Sequence, residues 1–332
     1  MSPVPLRRGL PVVAGCVVLL AAAILLAPLI GPSPISLARA FSRDIPFADN
    51  PDAQIFFVSR LPRVLAAALV GSSLAAAGVV LQGLLRNPLA TPYTLGVSAG
   101  ASLGAMVAIT FAAALPVGGV ATASLLGALL AVLVVYGLAG ARHRGLSTTV
   151  LLLAGVTLNA FFSALILFVQ YLSDFTETFR ALRWLMGNLD VPGYGPIAAA
   201  APLVLGSFVA FAWLARPLNL LSLGPEAAGS RGLAVGRAQR VAFFGASIAT
   251  GAAVSVGGPI GFVGIIVPHL VRLVVGADHR LVLPASAAFG GAFLIACDAV
   301  ARTVFAPLEL PVGVITAMIG GPFFLWLLLR NR

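Results

Sequence analysis

Apolar residues in this chain come in long continuous runs, with neither the alternation of a half-buried strand nor the narrow stripe of a surface helix. The runs lie near 10–30, 62–84, 93–113, 117–139, 149–171, 194–214, 241–257, 260–276, 281–300 and 312–329. About 18 apolar residues suffice to cross a bilayer as a helix. Backbone amides in lipid must be bonded within the protein, so only helices or a closed barrel can span. Barrel strands alternate in polarity and these runs do not. The pattern predicts an all-α, polytopic membrane protein of about ten transmembrane helices, forming a single domain over residues 1–332.

The interruptions shape that picture. GGPIG (257–261) separates two runs with residues that release the backbone from a helix. On one face lie a long loop at about 31–60 and a segment at about 172–193. Within the latter, FRALRWLMG reads as a short helix at the membrane surface, with Trp184 as an aromatic anchor. The longest loop on the other face runs from about 215 to 240. RVLAAALVGSSLAAAG from Arg63 and RVAFFGASIATGAAVS from Arg240 echo each other and enter from opposite faces, as the halves of an inverted repeat do.

Composition narrows the function. The chain is 60% hydrophobic and 9% charged, against roughly 25% charged in soluble domains. All 20 basic residues are arginine. A Walker A loop needs a lysine, so this chain holds no ordinary P-loop of its own. The net charge of +10 follows from topology rather than nucleic-acid binding, because the arginines sit in short loops. Ten spans put both termini on one face. That face carries 13 arginines with Glu226 and Asp278, a net of +11, and the other carries 7 arginines with 8 acids, a net of −1. The first face is therefore expected to be cytoplasmic. Ala38-Arg39-Ala40 has the look of a signal-peptidase site, but the first run of about 20 residues exceeds the apolar region of a signal peptide, so an uncleaved first span is expected.

Candidate chemistry is sparse. Ion-coupled transporters carry ionisable groups within their spans. Here Asp298 stands near an outer helix end, four residues before Arg302, at the spacing of a helical ion pair. A membrane enzyme would need a cluster of acids, histidines or an activated nucleophile, and none is legible. His143, His269 and His279 have no metal-ligand spacing, Cys16 and Cys297 fall within predicted spans, and no metal site is expected. Gly96, Gly100 and Gly104 repeat at the spacing that lets helices approach closely. SRLPR (59–63) puts Arg60 and Arg63 outside, against the positive-inside trend, and Arg302 joins them. Contact with lipid phosphates and docking of an acidic partner both account for such arginines. RNPLATPYTLG (86–96) is a proline-stiffened turn and LSTT (146–149) a short one, both on the inner face. GPEAAGSRG (224–232) has proline and an acid where a helix starts and arginine and glycine where one ends. It predicts a two-turn helix, Pro225 to Gly232, in an internal loop. That helix is either a surface element or a knob for a cytoplasmic partner.

SRLPR, QGLLRNPLATPYTLGVSAGA, LSLGPEAAGSRGLAVG, GPIGFVGIIVPHLVR, GADHR, DAVAR and ELPVGVITAMIGGPFFLWLL together resemble, in order and spacing, the FecCD-type permeases. These are the membrane subunits of type II ABC importers for iron–siderophore complexes, haem and cobalamin. The resemblance implies a bacterial inner-membrane subunit without catalytic residues or cofactor of its own. It implies two ABC ATPase subunits that bind ATP and Mg, a second permease subunit (a copy or a paralogue), and an external substrate-binding protein. Pro225, Glu226, Gly229, Arg231 and Gly232 then form the ATPase-coupling helix, and Arg60, Arg63 and Arg302 dock the binding protein. Asn87, Leu89, Ser147 and Thr148 narrow the cytoplasmic exit. Asn159, Ser163 and Gln170 are the polar candidates along the pathway. An iron–siderophore cargo is the first expectation, haem or cobalamin the next, and a secondary transporter the reading from another class.

Overall fold

The computed structural model describes residues 6–111, 119–140 and 148–330, and these are helical without a strand. The helices are α1 (Leu6–Leu26), α2 (Leu37–Ala40), α3 (Pro51–Gln54), α4 (Leu61–Leu85), α5 (Val97–Thr110), α6 (Gly119–Gly140) and α7 (Thr148–Leu172). There follow α8 (Phe175–Leu185), α9 (Gly195–Leu221), α10 (Pro225–Ser230), α11 (Val235–Gly257), α12 (Val263–Val275), α13 (His279–Thr303) and α14 (Val312–Arg330). Seven helical stretches are long and apolar enough to span a bilayer, and α5, α12 and α14 are shorter apolar helices. Together they correspond to the ten runs read from the sequence. The loop expected at 31–60 is partly helical: α3, a π-helical turn at Ile55–Arg60 and α4 make one continuous 35-residue helix. The surface helix expected around Trp184 starts earlier, at Phe175, where Asp174 and Glu177 form a capping box.

Burial orders the bundle. In the most apolar window, 78% of the residues are buried for both the α3–α4 helix and α11, against 6% for the first helix. The two central helices are those carrying the sequence echo, and they pack on each other. They can be central because they are rich in Ala, Gly and Ser, which let backbones approach where lipid supplies no hydrophobic drive. The same logic accounts for the α5 glycines. A methyl group on Gly100 would lie 2.5 Å from Gly127 O and 2.6 Å from Ala131 Cβ of α6. Gly100→Leu is expected to force the two helices apart at about 3 kcal/mol or more, visible as early thermal aggregation in detergent.

Two spans are short. α12 has 13 residues and α5 has 14, about 20 Å of helix each against a hydrocarbon core of about 30 Å. The missing lengths are a 3-10 turn at Pro92–Leu95 and the turn from Gly257 to Phe262. These irregular pieces meet: the hydroxyl of the half-buried Tyr93 donates to Ile260 O at 2.5 Å. Non-helical backbone at membrane depth is tolerated only inside protein or along a cavity, and here it has both.

Candidate functional site

One wall of the molecule is unpaired by its own chain. On α7, Asn159 and Ser163 are exposed and Gln170 is half-buried. Their spacing of four and seven sets them on one helical face. Beside them the 3-10 turn packs on α7: a methyl group on Gly155 would sit 2.7 Å from Leu95 Cα. Through Tyr93 that turn reaches the 257–262 segment. Phe262 there has φ +66°, the left-handed region a bulky side chain seldom enters, and its ring lies against Gly320 of α14. A hollow of about 550 Å³ opens beside it, lined by Leu185, Met186, Pro259, Gly261, Phe262, Gly313, Val314, Ala317 and Met318. None of these linings is charged. The only sequence mark of this hollow is the GGPIG break, the Gly/Pro-interrupted span that points to a pathway in transporters. Among the described residues no group of three His, Cys, Asp or Glu could hold a metal.

At the C-terminal end of α4, Arg86 adopts φ +50° and turns the chain. Asn87 Oδ1 accepts the Leu89 N–H at 2.9 Å, and Leu89 is 43% exposed. Of the other residues expected at the exit, Ser147 lies outside the described residues and Thr148 starts α7.

The loop helix is α10, two residues shorter than its reading from sequence. It covers Pro225–Ser230, and Arg231 is its cap rather than part of its last turn. Gly224 enters at φ +105° and Gly232 leaves at φ +83°. The Leu233 N–H reaches Ala228 O at 3.1 Å and the Gly232 N–H reaches Gly229 O at 2.9 Å, the paired bonds of a Schellman ending. Ala228 is fully buried, packing the helix down, while Glu226, Gly229, Ser230 and Arg231 face outward. Among the described residues neither Glu226 nor Arg231 has a side-chain partner. The base of this loop is tied to α13. Asn219 Nδ2 donates to Asp278 Oδ1 at 2.8 Å, and Asn219 Oδ1 accepts the His279 N–H at 2.9 Å. Arg280 beside Asp278, then Asn219 and the Arg280 backbone N–H, hold the Asp278 carboxyl down at about 2. GADHR is the sequence mark of this tie, although none of its residues signalled the pairing with Asn219.

The outer arginines are placed otherwise than as bare docking charges. Arg60, Arg63 and Arg302 are 4%, 5% and 3% exposed. Arg63 Nε donates to Asp298 Oδ1 at 2.8 Å, and Arg63 Nη1 pairs with Glu309 Oε2 at 2.5 Å. Arg302 Nε stands 3.0 Å from Asp298 Oδ2, close enough for an ion pair though not aligned as a hydrogen bond. That is the helical pair expected from the spacing. Arg60 donates to the carbonyls of Pro28, Leu29 and Ser33, and Arg302 to those of Ala27 and Ile30. Arg60 and Arg302 thus clamp the segment leaving α1, while Arg63 ties α4 to Asp298 of α13 and to Glu309.

The match to known proteins decides the family. The model of the FecCD transport family matches residues 19–330. The chain belongs to the FecCD transport family. It is 46% identical over 299 residues to the cobalamin import system permease protein of Halobacterium salinarum, covering 90% of this chain and 79% of that one. It is 41% identical over 277 residues to the hemin transport system permease protein of Yersinia pestis, covering 82% of each. A solved metal-chelate type ABC transporter in an inward-facing conformation superposes with a TM-score of 0.84 at 31% identity, over 97% of this chain and 99% of that one. As a FecCD permease, the chain is a multi-pass membrane transport subunit of the type II ABC importer fold. The turn at 257–262 and α14 lie along the uncharged hollow, and α10 is an exposed element away from the arginine clamp.

Proposed function

We propose that this chain imports a bulky metal chelate, driven by ATP hydrolysed on separate subunits that dock on α10. The observation that carries the reading is an uncharged wall combined with an outward-facing loop helix whose Glu226, and the Arg231 that caps it, have no side-chain partner among the described residues. A secondary transporter would need ionisable groups along that wall. The relatives named for cobalamin and hemin favour a corrinoid or haem as cargo over an iron–siderophore complex. The cargo is a substrate in transit, and an apolar wall suits release better than tight binding.

The exposed apolar face of α7, including Leu153, Val156, Leu167 and Phe168, together with Met318 of α14, suits pairing with a second permease subunit that closes the passage. Both termini and α10 then lie in the cytoplasm, as the arginine distribution requires. The substrate-binding protein docks on the rim that Arg60, Arg63 and Arg302 hold in shape. An acidic partner reaching those guanidiniums would compete with Asp298 and Glu309 for them.

Gentle affinity purification from native membranes with nucleotide trapped, followed by mass spectrometry, tests the reading. A stoichiometric P-loop ATPase supports it, and proteoliposomes of that complex should then accumulate cyanocobalamin or haemin only with ATP inside. Intact permease dimers that come away alone and transport without ATP would overturn it.

A further inference from the structure

A hollow larger than the one beside Phe262 lies elsewhere in the bundle. It occupies about 770 Å³ between α1 and α9, with α4 and α13 as its floor. No residue lining it belongs to α7, α14 or the 257–262 turn. Its sides are apolar, formed by Leu20, Phe208, Phe211, Pro284 and Ala288 among others. Its charged residues gather at one end, where Arg216 of α9 and Arg280 of α13 stand near the helix termini on the side that carries α10. Phe208 to Arg216 and Arg280 to Ala288 are each eight positions apart, about 12 Å along a helix. The cavity is therefore a slot with an apolar depth and a cationic mouth.

The mouth has charge to spare. Arg216 is exposed, and among the described residues it has no side-chain partner. Arg280 is bound to Asp278 through Nε and Nη2, at 2.6 to 3.0 Å, which leaves Nη1 free to donate. Arg237 lies with its guanidinium carbon 5.9 Å from the ring centre of Trp213, itself a lining residue. Three guanidiniums thus face one carboxylate. Trp213 is 48% exposed, the half-wet setting that tryptophan takes at a membrane interface.

We propose that this slot is a binding site for an anionic glycerophospholipid, with the phosphate at Arg216, Arg280 and Arg237 and an acyl chain between α1 and α9. A free phosphate would leave the apolar slot unused, and a zwitterionic lipid would leave the excess positive charge unmatched. Basic pockets between transmembrane helices are suited to anionic head groups. The first helix leaves room for such a lipid, since only 6% of its most apolar window is buried by protein. The lipid joins α1 to α9, the helix that leads into α10.

Native mass spectrometry of the purified permease, titrated with phosphatidylglycerol or with phosphatidylcholine of the same chains, tests this. Retention of phosphatidylglycerol should exceed that of phosphatidylcholine, and Arg216→Gln should lower it about fivefold while leaving phosphatidylcholine unchanged. Ala212→Phe, at an exposed lining position, should narrow the slot and lower retention of both. Equal retention of the two lipids, no response to Arg216→Gln, or undiminished retention in Ala212→Phe would each reduce the slot to ordinary lipid-facing surface and overturn the proposal.

Discussion

Asp298→Ala is expected to be among the most damaging single substitutions in this chain, at about 3–5 kcal/mol. Asp298 is fully buried and stands between Arg63 and Arg302, which are 5% and 3% exposed. Its removal leaves two guanidiniums buried with only carbonyls and Glu309 for compensation. Breaking one partner of such a pair costs more than the pair itself contributes, because the desolvation of the remaining charge is no longer offset. The expected readout is a fall in the thermal unfolding midpoint in detergent on the order of 10 °C, with a loss of monodisperse protein. Glu309→Gln is the internal contrast. Its side chain is 42% exposed, so its pair with Arg63 is worth only about 0–1 kcal/mol. If the two variants lose stability equally, the cluster does not organise the outer end as described.

Glu226→Ala combined with Arg231→Ala is expected to cut ATP-driven uptake about tenfold while leaving fold and membrane abundance intact. Both residues are exposed on α10 and unpartnered within the described chain, so their removal disturbs no internal contact. What holds α10 in place is Ala228 below it, Gly224 and Gly232 at positive φ, and the Asn219–Asp278 tie at its base. The double variant therefore separates recognition from scaffolding. Normal abundance with lost uptake, and ATPase subunits still hydrolysing ATP, supports the coupling role. Unchanged uptake removes α10 from the coupling pathway and leaves it a surface helix.

The match between sequence and structure differs by element. The ten spans were legible because a membrane core imposes one requirement, length of apolar helix, that each segment meets on its own. The α5 glycines were legible as packing residues for the same local reason, and the structure seats Gly100 and Gly104 against α6. The α10 signal gave the helix and its exposed face but placed Arg231 inside the last turn, because Gly232 rather than the arginine sets where the Schellman ending falls. The stretch at 31–60 reads as a loop between apolar runs, yet α3 uses Pro51 at its first turn and Asn50 as its cap, where both residues favour a helix.

By itself the sequence determined the class of the protein: a helical, multi-pass permease without its own ATPase loop, with positive charge gathered on one face and a short polar helix set in an internal loop. Only the tertiary structure decided that Arg60, Arg63 and Arg302 are engaged within the chain. It also decided that two irregular turns meet through Tyr93 and Ile260, and that the α1–α9 slot ends in arginines. The partners lie far apart along the chain, with Arg63 and Asp298 235 positions apart and Tyr93 and Ile260 167 apart. Helical periodicity relates residues only a few positions from one another. Which distant side chains meet depends on how closely the small-residue faces of α4, α11 and α13 bring their helices together, and that is settled by packing in three dimensions.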